Sequence, residues 1–112
     1  DVSDGGYAVA VAEMAIASGI GVSVDPDLFA AHDPLAEVSG RYLIELSKSA
    51  FDAAHSGALA GRFSGAELLQ LGFTQHQPSL MLFNRRMGES NQKIDLIPID
   101  DLTRAWRGTL DW

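Results

Sequence analysis

The chain opens Asp1-Val2-Ser3-Asp4-Gly5-Gly6-Tyr7 and runs straight into an apolar stretch, so two glycines and a small hydroxyl stand directly before a helix. This arrangement constrains the fold more than any other feature. Residues 4–18 carry helical spacing, with Tyr7, Val11, Met14 and Ala15 at i, i+4, i+7 and i+8. Alanines at 8, 10, 12 and 17 leave little polar surface, which predicts a helix covered on more than one side. Glycine carries no Cβ, and the first N–H groups of a helix have no intrahelical acceptor, so the turn suits an approaching anion such as phosphate. The same letters also fit a structural reading, in which Ser3 or Asp4 caps the helix and the glycines allow tight packing.

Beyond Gly19, Ile20, Val22 and Val24 alternate as a strand up to Pro26. Residues 27–40 read as irregular, with a helical turn at 28–31. Residues 41–46 read as a second strand, with Tyr42, Ile44 and Leu46 on one face. Phe51, Ala54, Ala58 and Leu59 predict a helix over 49–60, weakened by Gly57. At 66–74, Ser64 and Glu67 have capping-box spacing, but Leu69, Leu71 and Phe73 alternate, and a strand is the reading chosen. A turn at 75–78, strands at 80–83 and 94–97, and a polar loop between them follow. The terminal helix is expected over 99–107, closed by Gly108 and docked through Leu102 and Trp106. The order describes one α+β layered domain.

The chain has 112 residues and a net charge of -7. Its first lysine or arginine is Arg41, whereas Asp1, Asp4, Glu13, Asp25, Asp27, Asp33 and Glu37 all come earlier. An acidic first third repels polyanions, which argues against nucleic-acid binding. It also opposes a bare phosphate dianion at the glycine turn, unless magnesium or a base from elsewhere intervenes. There are no cysteines, so a cytoplasmic setting is the default and thiolate metal sites are excluded. No apolar run has membrane-spanning length, and the opening lacks the basic start of a signal peptide. His32, His55 and His76 lack metal-binding spacing, and no hydrolytic triad is indicated. Arg85 and Arg86, near Asn84, Asn91 and Lys93, form the one basic cluster, which reads as a solvated loop or a phosphate grip. Glu37 and Arg41 stand four apart, where a structural ion pair is the default.

The opening DVSDGGYAVAVAEMAIASGIGVSVD resembles the C-terminal domain of phosphoribosylformylglycinamidine synthase, within the aminoimidazole ribonucleotide synthetase-related superfamily. Residues 1–6, Ala12-Glu13-Met14-Ala15 and Gly19-Ile20-Gly21 carry the likeness. Leu35-Ala36-Glu37 with Ser39-Gly40-Arg41-Tyr42-Leu43, and the stretch 101–108, extend it. Tyr7 departs from it, standing where the family usually has leucine, and residues 50–91 match in pattern more than in letters. The resemblance implies an α/β/α layering with a mixed or antiparallel sheet, partly ferredoxin-like and lacking its N-terminal strands. It implies a parent ligase that uses ATP and magnesium to convert formylglycinamide ribonucleotide to the amidine in purine biosynthesis. The parent's other domains, with glutaminase and small accessory subunits, would be the partners. In this domain the implied roles are substrate-phosphate binding by Ser3, Gly5 and Gly6, and bordering of the cleft by Asp1, Asp4, Glu37 and Arg41. No catalytic or metal-binding residue is expected in the chain, and by itself it is expected to be inactive, to hold no cofactor and to self-associate. A non-catalytic interaction module, or part of a related kinase such as thiamine monophosphate kinase, are the alternatives.

Overall fold

The computed structural model describes residues 1–25, 33–55, 65–84 and 93–110. The elements are α1 (Gly6–Ser18), β1 (Gly21–Val24), α2 (Lys48–His55), β2 (Gly72–Gln75), β3 (Ser79–Asn84), β4 (Lys93–Pro98) and α3 (Ile99–Leu110). The strands form one mixed sheet in the order β2-β1-β3-β4. β1 runs antiparallel to β2 and parallel to β3, and β4 closes the sheet as an antiparallel edge. Helices and a mixed sheet together make the α+β class read from the sequence.

α1 ends as its glycine predicts. Gly19 takes a left-handed conformation (φ 69°) and its N–H donates to the Ala15 carbonyl at 2.9 Å. Tyr7, Val11 and Ala15 are buried, so the covered stripe follows the i, i+4, i+8 ridge by which helices pack. Met14, expected on that stripe, is 40% exposed, and Val9 lies open on the other side. The core gathers Val11 of α1, Val24 of β1 and Leu80 of β3, with Val22, Leu43 and Leu102 packed around them. Val22 pairs with Leu80 across the ladder, which puts both on the face that receives the helices. The opposite face carries the register row Phe73, Ser23, Met81 and Leu96, in which Phe73 and Leu96 stay exposed.

Several sequence expectations change. Residues 41–46 form no strand: alternation supplies a face but not a partner, and Tyr42, Ile44 and Leu46 all lie exposed. Only the last part of the 66–74 stretch is a strand, because pairing with β1 begins at Gly72 opposite Val24. α3 passes through Gly108 instead of stopping there, and Trp106 is exposed while Leu102 reaches the core. α2 begins one residue earlier than expected, with the Ser47 hydroxyl accepting from the Ala50 N–H at 3.2 Å as a cap. The proposed turn at 28–31, the end of that helix beyond 55, Ser64, and the loop with Arg85, Arg86 and Asn91 lie outside the described residues.

β2 and β3 flank β1 on opposite sides, although only residues 76–78 join them. That short link crosses beneath the start of β1, next to Gly21. The Ser79 N–H donates to the Gln77 carbonyl at 2.8 Å, and the Ile99 N–H to the Pro78 carbonyl at 3.0 Å. The crossing is thereby tied to the entrance of α3.

Candidate functional site

Gly5 and Gly6 both have positive φ, 82° and 72°, a conformation open to glycine and strained for other residues. Gly5 is the N-cap of α1, and no side chain caps the helix. The expected cap from Ser3 or Asp4 is therefore corrected. A capping side chain belongs to the N-cap residue, which here is a glycine, so those side chains come too early in the chain. The backbone does the work instead: the Gly6 N–H donates to the Ser3 carbonyl at 3.1 Å.

A second segment is laced over this turn. The Val2 N–H donates to the Arg41 carbonyl at 2.9 Å, and the Ala8 N–H to the Pro34 carbonyl at 3.0 Å. Between them the Gly5 N–H donates to Glu37 Oε1 at 2.9 Å, a contact spanning 32 residues. Asp33 starts the crossing segment with a positive φ of 44°, and its carboxylate accepts from the Leu35 N–H at 3.2 Å. Gly6 is buried beneath it. A Cβ there would stand 2.5 Å from the Pro34 carbonyl oxygen and 2.7 Å from the Leu35 carbonyl carbon, so the room left by the missing side chain is filled by the chain's own backbone.

Between the two segments lies an open cleft of about 400 Å³, lined by residues 1–4 and 37–42. Asp1, Ser3, Asp4, Glu37 and Arg41, singled out from the sequence, all line it, whereas Gly5 and Gly6 do not. Sequence reasoning missed Val2, Val38, Ser39, Gly40 and Tyr42 as lining residues, although Ser39 to Tyr42 lay inside a stretch that carried the resemblance. Tyr42 was expected on a strand face. Its ring is 74% exposed at the cleft instead. The wall carries three carboxylates and one guanidinium, so the cleft's own field is negative.

Tyr7, one residue after the turn, is buried at 5% exposure. Burial raises its phenol above the ordinary value of 10.0; the positive charge of Arg41 works against that rise and the negative charge of Asp33 adds to it. Native protein therefore keeps the tyrosine proton where unfolded chain has lost it. The associated stability is present below pH 10 and is lost as pH rises through the raised native value. Tyr7→Phe is expected to flatten that alkaline fall, as read from urea midpoints between pH 8 and 11, roughly the range that brackets a tyrosine's titration.

A second hollow, about 420 Å³, lies among Asp25, Phe51, His55 and residues 68–73. It holds none of the predicted site residues. His55 stacks on Phe51 there with ring centroids 5.4 Å apart, and His76 is exposed on the 76–78 link; His32 lies outside the described residues. No group of three or more His, Asp or Glu side chains that could hold a metal ion occurs among the described residues. Among them, too, no helix is long and apolar enough to cross a membrane.

The chain is similar to the phosphoribosylformylglycinamidine synthase subunit PurL of Sinorhizobium fredii, with 42% identity over 78 residues, 66% of this chain and 10% of that protein. The Rhizobium meliloti subunit of the same name is 41% identical over 78 residues with the same coverage. That of Mesorhizobium japonicum is 59% identical over 51 residues, 42% of this chain and 7% of that protein. The chain thus spans about a tenth or less of these curated relatives. No solved structure matches it significantly. The family described as AIR synthase related protein, C-terminal domain, matches residues 1–69. That range contains the whole cleft and stops short of β2, β3, β4 and α3, so it does not reach the resemblance noted at 101–108. With more than half its residues matched, and its cleft inside the matched part, the chain belongs to the AIR synthase related protein C-terminal domain family.

Proposed function

We propose that this chain serves in a PurL-type phosphoribosylformylglycinamidine synthase, an ATP-dependent carbon–nitrogen ligase of purine biosynthesis acting in the cytoplasm. Its share is to wall the substrate cleft and hold the ribonucleotide's phosphate. One observation carries this reading: five residues picked from the family-like motifs, from two segments more than thirty positions apart, converge on one cleft. In it, Ser3 offers a hydroxyl and Arg41 a guanidinium to the phosphate. Binding a remote phosphate positions the reacting amide and does no bond-making itself. ATP and magnesium would be held by other parts of the parent, as the family resemblance implies. The glutaminase and the small accessory subunit would likewise meet those other parts.

The test is kinetic. In the full-length synthase, Ser3→Ala and Arg41→Ala are expected to raise the KM for the ribonucleotide, Arg41→Ala by about tenfold or more, as suits a lost charged hydrogen bond. The KM for ATP should stay unchanged. A second reading, an interaction module, is favoured by the exposure of Phe73 at 68%, Leu35 at 66% and Tyr42 at 74%. Unchanged ribonucleotide KM in both variants would favour that reading over the phosphate one.

A further inference from the structure

We propose that Tyr7 is a positioning residue for the cleft: from behind the wall its phenol holds the Arg41 guanidinium in place for the anionic group of the ligand. The proposal rests on the phosphate-binding reading above. Tyr7 does not line the cleft, whereas Arg41 is the single base among the lining residues. Any contribution from Tyr7 must therefore pass through a neighbour. The fold places it to make one. Tyr7 is buried in the first turn of α1, and the crossing segment is pinned to the backbone on both sides of it, at Val2 by the Arg41 carbonyl and at Ala8 by the Pro34 carbonyl. A phenol at 5% exposure has little water for its hydroxyl, and buried tyrosines usually find a polar partner instead. After burial itself, the charges that act on this phenol are those of Arg41 and then Asp33. The Asp33 carboxylate is already engaged, since it accepts from the Leu35 N–H at 3.2 Å. The guanidinium is half-buried and rich in donors, so it is the partner that the phenol oxygen suits. Charge explains why pinning matters. Asp1, Asp4 and Glu37 share the wall with Arg41, and a loose guanidinium would be drawn onto any of them. A neutral acceptor holds it without cancelling its charge, which leaves it preorganised for an incoming anion.

A double-mutant cycle in the full-length synthase tests this, with Tyr7→Phe, Arg41→Ala and the pair together. Phenylalanine keeps the buried ring and removes only the hydroxyl. The readouts are kcat and the KM values for the ribonucleotide and for ATP. Tyr7→Phe is expected to raise the ribonucleotide KM by about threefold to tenfold, with kcat and the KM for ATP unchanged. Once Arg41 is alanine, the same change should add less than about twofold, because the group that the phenol holds is gone. If Arg41→Ala alone raises the ribonucleotide KM, two results would overturn the role of Tyr7 and leave the phosphate reading standing: an unchanged ribonucleotide KM in Tyr7→Phe, or an equal rise with and without Arg41. An unchanged ribonucleotide KM in Arg41→Ala would overturn both.

Discussion

Gly21→Ala is expected to lower the stability of the fold severely, with a large fall in the urea midpoint. The added Cβ would overlap the Gln77 carbonyl oxygen and stand 2.9 Å from that of Ser79, both backbone atoms. No rotamer can relieve a clash with backbone. The 76–78 link would have to move away from β1, yet it is held at Ser79 and at Ile99 by the bonds that fix the crossing. Shifting it disturbs the pairing of Gly21 with Gln75 and the neighbouring pairing of Val22 with Leu80, and so reaches the core. Overpacking costs about 1–3 kcal/mol, and each ladder bond lost adds about 1 kcal/mol. Against a total stability of roughly 5–15 kcal/mol for a domain, that removes a large share of what holds this one together. Far-ultraviolet circular dichroism with urea titration reads the outcome. Gly108→Ala is the control: it sits exposed within α3 with nothing within 4 Å of the new Cβ, and it should gain about 0.5–1 kcal/mol. A wild-type urea midpoint in Gly21→Ala would contradict the close crossing.

The second large effect is expected at Gly6. If the turn served only as an anion site, Gly6→Ala would weaken phosphate binding and leave melting temperature almost unchanged. Its φ is 72°, and the new Cβ would meet Pro34 and Leu35 backbone at 2.5 to 2.9 Å. Left-handed strain of about 1–2 kcal/mol and overpacking of about 1–3 kcal/mol combine to lower stability by about 2–5 kcal/mol. The crossing segment would lift, which opens the wall carrying Glu37 and Arg41. Melting temperature should therefore fall by more than about 10 °C, and a loss of substrate affinity in this variant would not report on ligand contact. Ser3→Ala is the sounder probe, since the bond at Ser3 uses its carbonyl and survives the substitution. An unchanged melting temperature in Gly6→Ala would mean that residues 34 and 35 do not press on the turn.

What the sequence determined by itself was local. The i, i+4 apolar ridge and Gly19 defined α1 and its end, β1, β3 and β4 fell within a residue or two of their alternating runs, and the glycine turn with Glu37 and Arg41 marked the neighbourhood of the cleft. Each of these depends on neighbours a few positions away, which letters in order can express. Pairing is different. The run 41–46 alternates as well as β1 does, yet β1 gained β2 and β3 as partners while 41–46 has no ladder among the described residues. The use of each glycine was equally hidden: Gly6 and Gly21 look like freedom for a ligand or a turn, and tertiary structure spends both on the close approach of distant backbone. The partner of the Gly5 N–H came from Glu37, 32 residues away, because a left-handed glycine N-cap brings no side chain of its own and the fold carried a carboxylate to it. Sequence fixes what each residue is able to do, and only packing chooses the partner, since that choice turns on contacts between segments far apart in the chain.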